Sequence, residues 1–246
     1  MPDLIHYILF ALSGLIAEIL GTVGGFGSSV IFVPLANFFM DYQSVLGITA
    51  VFHVVSNVSK IWLFREHFNW KIILWVGLPG VVFVALGAWL SGIYDTRYLN
   101  VALGIFLCLF ATFYYFKPEF EVNGTIRNQL FLGSSAGFLA GLLGTGGAIR
   151  GMALSSMHIA KNTFVGTSAA IDFGVDATRS VIYWKNGFLH SYDLPYLVIL
   201  ALVAVAGSWL GKKVLDRISE ARFSAIILLM IFMSGVALIV KSALVD

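Results

Sequence analysis

Apolar positions along the chain fall into long, nearly unbroken runs, without the alternation of a half-buried strand or the one-faced stripe of a surface helix. Residues 72–90, 99–116, 194–210 and 223–240 are each 17 to 19 residues long and mostly apolar. Stretches of about 18 or more such residues predict membrane-spanning helices. Two further apolar segments, 4–40 and 130–160, are longer and interrupted by glycines. Two others, 44–64 and 163–184, carry polar residues at helical spacing. The pattern therefore predicts four segments in each half: a glycine-broken one (4–40; 130–160) and three plain ones (44–64, 70–92, 99–116; 163–184, 192–211, 223–241). Trp62, Trp70, Trp89, Tyr94, Trp184 and Trp209 fall near segment ends, where amphipathic rings sit at membrane interfaces.

The halves are related in sequence. GLIAEILGTVG at 14–24 parallels GFLAGLLGTGG at 137–147. Gly47 matches Gly166, Thr49 matches Ser168, Lys60 matches Arg179, and GAWL at 87–90 matches GSWL at 207–210. A first membrane repeat over 1–116, a polar linker over 117–129 and a second repeat over 130–246 are expected. Such repeats suggest two bundles about a pseudo-two-fold axis with a site between them.

Composition agrees with a membrane protein. The 246 residues are 59% hydrophobic and only 11% charged, against roughly 25% charged in soluble domains. A net charge of +2, without a basic block, gives no reason to expect nucleic acid as a partner. Cys108 is the only cysteine, so a disulfide within the chain or a thiolate cluster is excluded. Residues 1–7 lack a basic n-region, so the N-terminus is expected to be part of the mature fold rather than a signal peptide.

Loop charge separates two topologies. If each broken segment crosses once, Lys and Arg divide eight to six between the two sides. If each dips in and returns, they divide ten to four, with Lys60, Arg65, Lys71, Lys117, Arg127, Lys161, Lys212, Lys213, Arg217 and Arg222 together. Cytoplasmic loops carry the basic excess. The expected fold is therefore an all-α polytopic membrane protein of two inverted repeats, each with a re-entrant segment and three transmembrane helices.

Two constellations carry candidate chemistry. The first is the pair of glycine segments, GTVGGFGSS at 21–29 and GTGGAIRG at 144–151. Irregular backbone at membrane depth survives only where it is buried in protein or lines a wet cavity. A new helix is expected after each turn, around Ser28 and Gly151, and its free N–H groups and dipole favour an anion. Candidate substrate-binding residues are Arg150, Thr22, Gly24, Gly25, Gly27, Ser28, Ser29, Thr145, Gly146, Gly147 and Gly151, with Thr49 and Ser168. Arg150 would supply the full charge as a planar fork. The competing readings are close helix packing by small residues and a structural Arg150 paired with Asp172, Asp176 or Glu18.

The second constellation is a stripe. Thr49, His53, Asn57 and Lys60 repeat as Ser168, Asp172, Asp176 and Arg179, at spacings of four, four and three that fall on one helix face. His53, Asn57, Asp172, Asp176, Arg179 and Glu18 are candidates for a coupling or permeation path, since intramembrane acids face a bundle interior or water. The alternative is interhelical hydrogen bonding, with Lys60 and Arg179 snorkelling to an interface.

The glycine segments, Pro34 after the first, and Gly-Thr-Ser at 166–168 resemble the sulfite exporter TauE/SafE family, also called the 4-toluene sulfonate uptake permease family. The resemblance covers nearly the whole chain. Val23 and Phe26 stand where a denser glycine run is common, and Ser156 stands opposite the Pro34 region. It implies a multi-pass protein of a bacterial or archaeal inner membrane that moves sulfite, sulfonates, sulfoacetate or related organic anions. Its partners would be the small anion, the bilayer and a coupling proton or sodium ion, with a homodimer left open. No cofactor or metal is expected. The sequence contains no HExxH, CxxC, nucleophile elbow or nucleotide-binding loop, which argues against an enzyme. A channel-like pore, or a membrane subunit without transport of its own, remains the alternative to an alternating-access anion transporter.

Overall fold

The computed structural model describes residues 4–24, 27–117, 119–120, 122–155, 157, 159–215, 217, 229, 231–233, 235–240 and 242–243. Among these, regular structure is helical: α1 Leu4–Gly24, α2 Ser29–Ala36, α3 Tyr42–Leu63, α4 Trp70–Ile72, α5 Leu78–Ser91, α6 Thr96–Phe116, α7 Ile126–Leu143, α8 Gly147–Ser155, α9 Lys161–Lys185 and α10 Leu194–Leu215. A π turn at Ile73–Gly77 joins α4 to α5 in one rod. Pro79 follows it; proline clashes with the carbonyl four residues back, here that of Trp75, and a π turn accommodates the mismatch. Of the expected eighth segment, 223–241, residues 223–228, 230, 234 and 241 lie outside the described residues; Gly235 and Ile239 pack against Gly104 of α6.

Local chemistry sets the ends. Asp41 caps α3 by accepting from Ser44 N at 2.9 Å, and Asp95 caps α6 by accepting from Arg97 N at 2.8 Å. Thr125 caps α7 through Asn128 N at 3.3 Å. Helix α7 therefore begins inside the expected 117–129 linker. Arg127, Asn128 and Gln129 gave that turn a polar look, but Gln129 is buried and its amide donates to Gly124 O at 3.0 Å. Likewise α8 starts at Gly147 rather than near Gly151.

Several charged side chains of the helices lie inside, among a buried apolar core, and many large apolar side chains face outward. Glu18, Lys60, Arg150, Asp176 and Arg179 are buried, whereas Leu4, Ile5, Leu109, Leu202 and many other large apolar side chains are exposed. Soluble proteins rarely expose so much contiguous apolar surface. Five helical rods are long and apolar enough to cross a membrane: Leu4–Gly24, Tyr42–Leu63, Trp70–Ser91, Arg97–Phe116 and Ser191–Leu215. The protein is thus an integral, multi-pass membrane protein. All six end-of-segment aromatics are more than half exposed except Trp209, at 50%.

Residues after each glycine turn contact the helix before it. Ser28 Oγ lies 2.7 Å from Glu18 in the middle of α1, and the Phe39 ring packs 5.2 Å from His6 near the start of α1. Gln129 at the start of α7 reaches Met157 beyond the end of α8. Two glycines make the turns: Gly27 with φ +81° and Gly144 with φ +78°, both in the left-handed region that side chains resist. Between helices, Gly137 packs so closely on α5 that an added Cβ would stand 2.1 Å from Gly80 O. Glycines in this chain therefore serve both roles, turning the chain and letting helices touch.

Candidate functional site

The polar stripes of α3 and α9 face each other along antiparallel helices. Asn57 donates to Asp176 Oδ2 at 2.7 Å, and His53 lies 3.3 Å from Arg179. Arg179 Nε stands 2.7 Å from Asp176 Oδ1, an ion-pair distance that is off the line of a hydrogen bond. Arg179 also donates to the carbonyls of Ala140 at 3.2 Å and Gly144 at 2.8 Å, satisfying free acceptors at the C-terminal end of α7. At 1% side-chain exposure it does not snorkel.

Neither does Lys60. Its Nζ is 2.7 Å from Glu18 Oε1, and Glu18 is fully buried. Glu18 also accepts from Ser56 at 2.6 Å, Ser28 at 2.7 Å, Ser208 at 3.0 Å and Thr22 at 3.2 Å. Such saturation is what lets a carboxylate stay buried. Thr22 and Ser28, expected as donors to an anion, are thus directed at Glu18. Ser28 Oγ also lies 2.9 Å from His53 Nε2, linking the Glu18 cluster to the stripe.

Arg150 projects from the first turn of α8. It pairs with Asp172 and donates Nε to Ser168 Oγ at 3.0 Å. It is not the isolated charge expected of the second glycine turn, because Asp172 of α9 lies within reach. Gly27, its counterpart in the sequence alignment of the halves, lies beside it: a Cβ there would stand 3.4 Å from the Arg150 guanidinium. The two glycine segments also touch where Ser29 Oγ meets Thr145 Oγ1 at 3.3 Å.

Two small cavities adjoin this core. One is lined by Thr22, Gly27, Asn57, Lys60, Ser168 and Asp172, among others. Another includes Gly27, Ser29, His53, Gly146, Gly147, Arg150, Asp172, Asp176 and Arg179. Gly27 and Asp172 border both. Thr49 and Gly151 are buried but line neither; the Thr49 hydroxyl has no hydrogen-bond partner among the described residues. Gly24 ends α1. Gly25, Phe26 and Ser156 lie outside the described residues.

Sequence reasoning passed over two residues of the network. Ser56 sits three residues after His53 on the stripe, a usable signal. Ser208 was visible only as the second residue of the GSWL match, with nothing to connect it to an acid 190 positions away.

The sequence has known relatives. A Methanocaldococcus jannaschii protein described as a "probable membrane transporter protein" is 27% identical over 237 residues, covering 86% of this chain and 87% of its own length. A family model described as sulfite exporter TauE/SafE matches residues 10–238. The chain belongs to the sulfite exporter TauE/SafE family.

Proposed function

We propose that the chain is a secondary transporter that carries a small anion, such as sulfite, a sulfonate, sulfoacetate or a related organic anion, across a prokaryotic inner membrane by alternating access. The observation that carries this reading is the convergence of Arg150, Arg179 and Lys60 with the first turns of α2 and α8 around two small cavities, deep among apolar helices. Arginine and helix N-terminal N–H groups suit an oxyanion. Arg150 and the helix starts bind it, and His53, Asp172 and Asp176 couple its passage to a proton or sodium ion.

The alternation rests on two inverted repeats with re-entrant glycine hairpins. The packing supports it. The matched helices α3 and α9 run antiparallel, with Gly47 against Phe188 and Gly166 against His67. Helix α1 packs parallel to α10, with Gly14 on Leu200 and Gly207 on Glu18; its counterpart α7 packs the same way on α5, with Gly137 on Gly80 and Gly87 on Phe138. An axis in the membrane plane relates these pairs; an axis along the normal would leave α3 and α9 parallel. Burial of Lys60 and Arg179 removes one residue from each side of the loop-charge count, leaving nine against three.

Reporter fusions test the topology. A fusion at Asn123 is expected to report cytoplasm and one at Asp246 the opposite side; cytoplasmic activity at Asp246 contradicts the inverted arrangement. Thermal unfolding of purified protein against sulfite, sulfoacetate, taurine and simple carboxylates tests the anion. A ligand at a hundred times its Kd adds about 2.7 kcal/mol. Stabilisation by one of the anions is expected, and stabilisation by neutral solutes alone contradicts the reading.

A further inference from the structure

The charges at the core balance. Lys60, Arg150 and Arg179 stand against Glu18, Asp172 and Asp176, each in a direct pair. A substrate anion entering this neutral, buried cluster leaves an uncompensated negative charge, which is costly at membrane depth. Either one carboxylate takes up a proton or a cation enters with the anion.

The three carboxylates are not equivalent. Glu18 holds five donors and is 0% exposed at its side chain; Asp176 is 5% exposed and held by Asn57 and Arg179. Asp172 is 13% exposed and borders both cavities. Its cation, Arg150, lines the second cavity from a helix of only nine residues.

We propose that Asp172 occupies the place of the transported anion on Arg150, closes the passage between the two cavities beside Gly27, and yields Arg150 to the substrate when it takes up a proton. A carboxylate oxygen and a sulfite or sulfonate oxygen make the same hydrogen bond to a guanidinium, so one replaces the other without new donors. The proton that moves onto Asp172 accompanies the anion, and the cluster stays neutral throughout. This builds on the anion-transport reading above and adds its stoichiometry: one proton bound for each singly charged anion. The groups facing Asp172 are Arg150 from α8, Gly27 from the first glycine turn, Lys60, Asn57 and His53 from α3, and Ser168, Asp176 and Arg179 from its own helix.

Binding of methanesulfonate, which keeps one charge across the range, is measured on purified full-length protein from pH 5.5 to 8.0. Wild type is expected to lose affinity as pH rises, by up to about tenfold per unit, because binding takes up a proton. Asp172→Asn is expected to bind with one affinity across the range, about tenfold or more tighter than wild type at pH 8.0. Glu66→Gln, an exposed acid outside both cavities, is expected to keep the wild-type slope. Asp172→Ser repeats the measurement if the asparagine variant is recovered poorly. A wild-type slope retained in the Asp172 variants overturns the proposal and leaves anion transport standing. Absence of binding by every variant at every pH, with sulfite as well as methanesulfonate, overturns the anion reading itself.

Discussion

Glu18→Ala is expected to cost about 3–5 kcal/mol of stability, the scale of removing one partner from a buried ion pair. The substitution leaves Lys60 charged and buried, and strips an acceptor from Thr22, Ser28, Ser56 and Ser208 together. Those donors come from α1, α3, α10 and the first glycine turn, so the loss loosens the packing of three helices on that turn. Combining Lys60→Met with Glu18→Leu in place of Glu18→Ala removes both charges and fills the site, and is expected to recover part of the deficit, because an apolar pair of similar volume can replace a buried ion pair. Thermal unfolding and the yield of monodisperse protein read both effects. A Glu18→Ala protein as stable as wild type contradicts the pairing described here.

Arg150 carries the second large effect, on binding. Arg150→Ala leaves Asp172 buried without its cation, so this variant is expected to lose stability as well as ligand. Pairing it with Asp172→Asn separates the two: the double variant is expected to fold and to show no anion-dependent stabilisation. Arg150→Lys keeps the charge but not the fork, and should weaken binding by roughly 1–3 kcal/mol, the scale of a charge-assisted hydrogen bond. Wild-type affinity in the folded double variant would place the anion site elsewhere.

The spans and the stripe were legible in the sequence because both depend on spacing within one helix. Asn57 and Asp176 had to face the bundle interior, since lipid does not tolerate them. The partner of each group was less legible, because it lies far along the chain: Ser29 meets Thr145, Asn57 meets Asp176, and Ser208 meets Glu18. Arg150 shows the limit clearly. Its charge and its position in the glycine turn were evident, and Asp172 was among three candidate partners, but only the packing of α8 on α9 selects that acid. Snorkelling stood as the alternative for Lys60 because it lies near the end of α3; its acid, Glu18, has glycine at the matching position of the other half.

Counterflow in proteoliposomes tests transport most directly. Vesicles preloaded with unlabelled sulfite, and separately with sulfoacetate, are diluted into trace labelled anion. An alternating-access carrier returns loaded faster than empty, so preloading is expected to accelerate uptake of the same anion several-fold over vesicles preloaded with a neutral solute. Entry at one rate whatever the vesicle contains, or no anion entry above protein-free vesicles for either compound, would contradict the account.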